Sequence, residues 1–197
     1  MGARTLRPAW LAPTRRAIDW TPLAVITGAL LATATLLGWR QLEVPELLQY
    51  LAVAGLASAA VLGLADPARP LLQALPTTPI TRLSHRGMLL VGATALAAGA
   101  LLSAERLLDL TPTAAPQLAP ALMALAALGT AVHTVAAPLT DHPHEAAAGS
   151  IMLCIVASAL PLDFLPDTLR MAWLHHPWPF TAAATIVILT RITKPGA

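Results

Sequence analysis

The chain has 197 residues, of which 56% are hydrophobic and only 11% charged, and its mean hydropathy is +0.67. Soluble domains carry roughly a quarter charged residues, so this composition excludes an ordinary water-soluble domain and indicates a single polytopic membrane domain, residues 1–197. The net charge of +2 is small, and the basic residues lie near the ends of apolar runs, which argues against nucleic acid as a partner. The sequence has no GxxxxGK motif, so any ATP chemistry would reside on another chain.

The N-terminal segment, residues 1–20, places basic and aromatic side chains ahead of the first apolar run. Tryptophan is enriched at the headgroup level of membranes and arginine reaches lipid phosphates, so the segment is predicted to form a short interfacial helix. The alternative is a basic tail without defined structure that only orients the chain. The residues predicted to lie at the membrane interface are Trp10, Arg15, Arg16 and Trp20.

Six apolar stretches follow. A bilayer core of roughly 30 Å requires about 20 apolar residues per helix, and each stretch meets or approaches that length. The sequence therefore predicts an all-α protein with six transmembrane helices. The predicted spans are Thr21–Gly38, Leu47–Ala65, Gly87–Ser103, Leu118–Leu139, Ala146–Leu165 and Trp178–Ile192.

The distribution of arginine and lysine predicts the orientation of these spans. Four basic residues lie in the N-terminal segment, three in residues 66–86 and two near the C terminus, which makes nine of the twelve. Cytoplasmic loops carry the excess of basic residues. We therefore expect a multi-pass protein of the cell membrane with both termini in the cytoplasm.

The connection between the second and third spans, residues 66–86, is the most elaborate polar segment. Asp66 and Pro67 form a helix-start signal, and Pro76 ends the short helix predicted over Pro67–Leu75. A second start signal, Thr78 followed by Pro79, leads into the third span. The short helix would expose leucines on the cytoplasmic side, which is typical of a surface that docks a partner. A loop whose leucines only dip into the membrane interface is the alternative.

This order of parts resembles the permease subunits of ABC-2 type exporters, which have six spans and no ATPase of their own. The family has a coupling helix after the second span that often carries a leucine pair, then Leu-Pro, then hydroxyl and basic residues, and LLQALPTTPITR is similar. Its short outer re-entrant helices between the fifth and sixth spans correspond to LPLDFLPDTLRMAWLHHPWPF. The residues that the resemblance assigns to ATPase docking are Leu71, Leu72, Leu75, Pro76, Thr77, Thr78 and Arg82.

The resemblance implies a mechanism of alternating access driven by separate cytoplasmic ATPase subunits, which would hold the ATP and magnesium. This chain itself would carry no cofactor. It would pair with itself or with a similar permease chain in the lipid bilayer. The weakly charged spans suit a hydrophobic or amphiphilic cargo such as a lipid, a modified peptide or a drug-like metabolite.

The segment TDHPHEAAAG, residues 140–149, contains two histidines and two acids ahead of the fifth span. Imidazole and carboxylate suit zinc, copper or iron. However, Pro143 interrupts the run and there is no HxxxH or CxxC spacing, so no metal ligand is assigned. Asp141 or Thr140 is instead predicted to cap the fifth span, with Glu145 in its first turn.

His133 is an ionisable residue within the fourth span. It is a candidate for the transport pathway, or for a hydrogen bond to a neighbouring helix. No set of residues forms a recognisable catalytic site, so enzymatic activity of this chain stays an open question. Two alternatives to the exporter remain: a non-transporting scaffold subunit of a larger membrane complex, and a metal-dependent membrane protein that would use His142, His144 and Glu145.

Overall fold

The computed structural model of the chain describes residues 18–40, 46–64, 79–108, 115–137, 139–159, 174 and 176–193. Every regular element in these residues is an α-helix. The segments predicted as the coupling helix, the interfacial helix up to residue 17 and most of the outer re-entrant region lie outside the described residues. The helices are α1 Thr21–Trp39, α2 Glu46–Leu62, α3 Pro79–Leu107, α4 Ala115–Ala136, α5 Pro143–Ala159 and α6 Pro177–Thr193.

Three of the described helices are long and apolar enough to cross a membrane. They are α1, the stretch Ser84–Ala104 of α3 and the stretch Ala119–Ala136 of α4, with mean hydropathies of 1.6, 1.8 and 1.5. Shorter apolar stretches occupy Leu48–Leu62 of α2 and Pro143–Val156 of α5. The described part of the chain is therefore all-helical, with three helices that could span a membrane by their length and composition.

Helix α2 lies at the centre of the described bundle. It packs against α1 and α3 on one side and against α4 and α5 on the other, while α6 packs on α4. Its residues 53–54 and 56–61 are all buried, and they are mostly small. Small side chains let helix backbones approach closely, which explains how one helix contacts four neighbours.

The larger hydrophobic core lies between α2, α4 and α5. At Gly129 of α4, an added Cβ would lie 2.6 Å from Val61 Cγ2 and 2.7 Å from Ile151 Cδ1, so three helices meet at this glycine. The buried members of the core are Val53, Ala54, Ala57, Val61, Ala121, Leu125, Ala147, Ile151, Ile155 and Leu174.

A second core joins α2 to α1 and α3. Leu23 and Leu101 from the outer helices pack with Leu56 and Ala59 of α2. Gly55 faces Ile26 of α1, with only 3.2 Å between an ideal Cβ and Ile26 Cγ2. The bundle thus has two layers that share α2.

The observed helix bounds agree with the sequence signal at the start of α3 and differ from the predicted span at the end of α4. The signal at Thr78-Pro79 is confirmed, because α3 begins at Pro79 and runs without a break into the predicted third span. Helix α4 ends at Ala136, so the predicted extension to Leu139 is wrong. The chain continues there with turn bonds from the Leu139 and Thr140 amides to the Ala136 carbonyl, as expected beside Pro138, which has no N–H to donate.

The cap of α5 is also different from the prediction. The amides of Glu145 and Ala146 donate to the His142 carbonyl, so His142 occupies the N-cap position. The Thr140 hydroxyl accepts a hydrogen bond from the His142 amide at 3.2 Å and fixes the turn before the helix. Glu145 lies in the first turn, as predicted.

Candidate functional site

A cluster of buried residues ties the C-terminal end of α2 to the N-terminal half of α3. Ile18, Leu64 and Leu90 are 5%, 6% and 2% exposed and pack together, and Trp20 and Leu89 lie against them. We call these five residues the junction cluster. Of the predicted coupling loop, residues 66–86, the structure describes only the part from Pro79 onward, which belongs to α3.

Arg86 is the charged residue most closely associated with this region. It lies one helical turn before Leu90 and is only 4% exposed. Burying a guanidinium is costly unless polar groups surround it, so this position is structurally constrained. Sequence reasoning placed Arg86 together with Arg82 on the polar face of the helix and so missed its burial. Its spacing of four residues from Leu90 was the available signal that it lies on a packed face.

An apolar groove lies between α4 and α6. Its volume is about 440 Å³, and every residue lining it is hydrophobic. An open groove of this composition can hold an acyl chain or another apolar group, because no polar atom of the lining would lose hydration. The lining residues are Leu128, Ala131, Val132, Val135, Ala136, Leu139, Phe180, Ala183, Ala184 and Val187.

The candidate pathway residue His133 lies on the same stretch of α4 and is half-buried. It is flanked in sequence by a groove residue, Val132, but is not itself part of the described groove lining. Its role in a pathway stays a prediction.

The described residues include only two of the other predicted site residues. Trp20 is half-buried. It belongs to the junction cluster and also packs against the core formed by α1, α2 and α3. Arg82 lies in the first turns of α3. The docking and interface residues that lie outside the described residues are Trp10, Arg15, Arg16, Leu71, Leu72, Leu75, Pro76, Thr77 and Thr78.

Sequence reasoning missed an aromatic–basic pair at the end of α1. Trp39 is 77% exposed, and the guanidinium carbon of Arg40 lies 5.6 Å from the centre of its ring. An exposed tryptophan with a stacked arginine is typical of the membrane–water interface. The signal was present in the sequence, since Trp39-Arg40 directly follows an apolar run of membrane-spanning length.

The structure also brings together the three residues that the metal-dependent alternative would use. The potential ligand atoms of His142, His144 and Glu145 all lie within 4.8 Å of one another.

These features define an all-helical protein with helices capable of spanning a membrane, an apolar groove and a packed junction at the predicted coupling segment. Comparison with protein-family models, with curated proteins and with solved structures found no match to this chain.

Proposed function

We propose that the chain is the membrane-spanning permease subunit of an ATP-driven exporter. Six spans place both termini in the cytoplasm, and separate ATPase subunits dock on residues 66–86. The permease works as a dimer with itself or a similar chain, and it moves a hydrophobic or amphiphilic cargo by alternating access.

The observation that carries the proposal is the continuity of α3. The helix has 29 residues, which at 1.5 Å per residue is about 43 Å. A hydrocarbon core is roughly 30 Å thick, so α3 is long enough to cross it and to project beyond. A movement of the coupling segment would therefore reach the membrane-spanning part of α3 through one uninterrupted helix.

The junction cluster supports transmission of that movement to the rest of the bundle. An ideal Cβ at Gly63 would lie 2.7 Å from Leu90 Cδ2, so α2 and α3 are in close contact beside the coupling segment. Closely packed helices respond to displacement by rigid-body or shear motion, because a dense interface does not deform continuously. Helix α2 contacts both layers, so it can pass a shift of α3 to α4 and α5.

The α4–α6 groove supports the cargo class. An apolar lining offers no counter-charge and no hydrogen-bond partner to a polar solute. The part of a cargo that occupies it is therefore hydrophobic, such as an acyl chain or an apolar peptide side chain.

The experiment is reconstitution with an identified ATPase. The chain is co-expressed with a candidate ATPase subunit, purified as a complex and placed in liposomes that contain a fluorescent lipid. ATP hydrolysis and lipid movement are then measured on the same vesicles. We expect the Leu72→Asp and Leu75→Asp double change to reduce ATP-driven movement at least about tenfold, because two charges would oppose an apolar contact.

The matched control is Leu107→Asp at the other end of α3, where Leu107 is 85% exposed. This change adds one such charge to an exposed leucine, and we expect it to leave coupling intact. Equal loss in both variants would mean that the effect is not specific to docking. A chain that binds no ATPase would instead support the scaffold subunit.

A further inference from the structure

The loop between α4 and α5 holds its backbone in place while presenting polar side chains to solvent. Turn bonds to Ala136 close the end of α4, and the His142 carbonyl accepts the first bonds of α5. Pro143 is buried against the bundle, whereas the side chains of His142 and Glu145 are 67% and 66% exposed. A fixed backbone with exposed side chains is a suitable frame for an externally supplied ion.

Three potential metal ligands converge in this loop. His142 Nδ1 lies 3.8 Å from Glu145 Oε1, and one ligand atom from each of His142, His144 and Glu145 lies within 4.8 Å of the other two. The two imidazole rings are 6.1 Å apart at an angle of 80°. They are therefore not stacked, and a nitrogen of each can approach a common point.

From this geometry we propose that His142, His144 and Glu145 bind a divalent transition metal ion of the zinc type. Tetrahedral zinc has bonds of about 2.0–2.2 Å to imidazole nitrogen and carboxylate oxygen, which places its ligand atoms roughly 3.3–3.5 Å apart. His144 is half-buried, and rotation of the exposed His142 and Glu145 side chains toward it can close the remaining distance without moving the backbone. Two nitrogens and one oxygen leave a fourth position for water.

The local charge is compatible with a cation. A helix N-terminus carries a partial positive charge that disfavours a metal ion. Glu145 in the first turn and the exposed Asp141 just before the helix supply two carboxylates against it. The nitrogen-rich ligand set favours zinc over calcium or magnesium, which prefer oxygen ligands.

The sequence raised this ligand set only as an alternative, because metal ligands were expected to share one helical face and Pro143 interrupts the run. His142 occupies the N-cap position, outside the helical turn, and His144 and Glu145 occupy the first turn. Because the backbone of an N-cap residue is not helical, the side chain of His142 can converge with the side chains two and three positions later. The proposal stands independently of the transport function.

The chain contains its own matched control. His176 is also an exposed histidine that precedes a proline at a helix start, and its carbonyl accepts the Phe180 amide at the beginning of α6. The two positions after Pro177 are Trp178 and Pro179, so this N-terminus offers neither a second imidazole nor a carboxylate at the corresponding places.

The experiment uses the full chain, produced without a polyhistidine tag, stripped with a chelator and held in detergent micelles. Zinc binding is measured by calorimetry, and cobalt is added as a spectroscopic probe of nitrogen and oxygen coordination. We expect one equivalent of zinc per chain. Since even an outer-shell partner is worth about 10–100-fold in metal affinity, His144→Ala and Glu145→Gln should each weaken binding at least about tenfold.

His176→Ala should leave zinc affinity unchanged, and circular dichroism and gel filtration confirm that every variant is folded. Absence of saturable zinc binding to the unaltered chain would overturn the proposal. Unchanged affinity in His144→Ala, or an equal loss in His176→Ala, would also overturn it.

Discussion

Asp19 illustrates how one exposed side chain fixes the start of a membrane helix. Its Oδ1 atom accepts a hydrogen bond from the amide of Thr21, two residues later, at 3.0 Å. Thr21 is the first residue of α1, and Pro22 is the second. That backbone hydrogen bond, together with one to the Thr21 side chain, lowers the pKa of Asp19 below its ordinary value of 3.8. The ionised carboxylate is therefore the form that stabilises this helix start.

The first prediction concerns this hydrogen bond. Since the pKa of Asp19 is lower in the folded state, its contribution is complete above about pH 4 and is lost as the pH falls through the lowered pKa. Asp19→Ala should speed amide hydrogen exchange at Thr21 at neutral pH. Asp19→Asn retains an acceptor oxygen, so the protection of the Thr21 amide, relative to its intrinsic exchange rate at each pH, should be intermediate and should not change on acidification. Equal exchange in the unaltered chain and the alanine variant at pH 7 would contradict the assignment.

At the scale of helices, Gly129 is the position where the fold depends most on a missing side chain. The atoms that an added Cβ would meet belong to Val61 and Ile151, which are 1% and 0% exposed. Neither has space to move aside. The contact therefore requires glycine for close approach of α4 to α2 and α5.

The second prediction follows from this contact. Gly129→Ala should lower the free energy of unfolding by about 1–3 kcal/mol, the usual cost of overpacking a core. Gly28→Ala on α1 is the control, because its Cβ would meet nothing within 4 Å. That change should be neutral or stabilise by roughly 0.5–1 kcal/mol through helix propensity. Both values can be measured by denaturation in mixed micelles.

A double variant sharpens the test. Ile151→Val removes the Cδ1 atom that approaches the Gly129 position. Combined with Gly129→Ala, it should destabilise by less than the sum of the two single changes. Strict additivity would show that the two side chains do not meet.

Helix identities were more predictable from sequence than the ways in which the helices pack. Apolar runs between prolines and charges indicated each described helix, and Thr78-Pro79 marked the start of α3 correctly. The central place of α2 was not predictable, because LAVAGLASAAVLGLA is equally compatible with a helix that faces lipid. Only the contacts of Gly55, Gly63 and Gly129 show which small residues face neighbours.

The same limit applies to the candidate sites. The histidines at 142 and 144 were visible in the sequence, but their convergence with Glu145 depends on the N-cap position of His142. The α4–α6 groove had no sequence signal at all. Its lining residues come from two helices about 50 positions apart in the chain, and their hydrophobicity is shared by the whole composition.

At the scale of the molecule, the described bundle is asymmetric. One layer, α1 and α3 on α2, carries the junction with the predicted coupling segment, and the other layer contains the groove. Helix α2 joins them. In the proposed exporter, the ATP-dependent movement therefore enters at one layer and acts on cargo in the other.

The last prediction tests whether the groove is a binding site for apolar molecules. Ala183 lines the groove, whereas its neighbour Ala182 is exposed but does not. Ala183→Phe places a ring in the cavity, and Ala182→Phe adds the same ring to the same helix outside it.

A lipid carrying a photoreactive group near the end of its acyl chain is bound to the chain in micelles, and the labelled peptides are identified by mass spectrometry. We expect labelling of α4 and α6 in the unaltered chain, and an apparent affinity at least about tenfold lower in Ala183→Phe, a change of 1.4 kcal/mol. Ala182→Phe should bind as the unaltered chain does. If both variants lose binding equally, or if label is spread over all lipid-facing helices, the groove is only a gap between helices and the cargo must pass elsewhere.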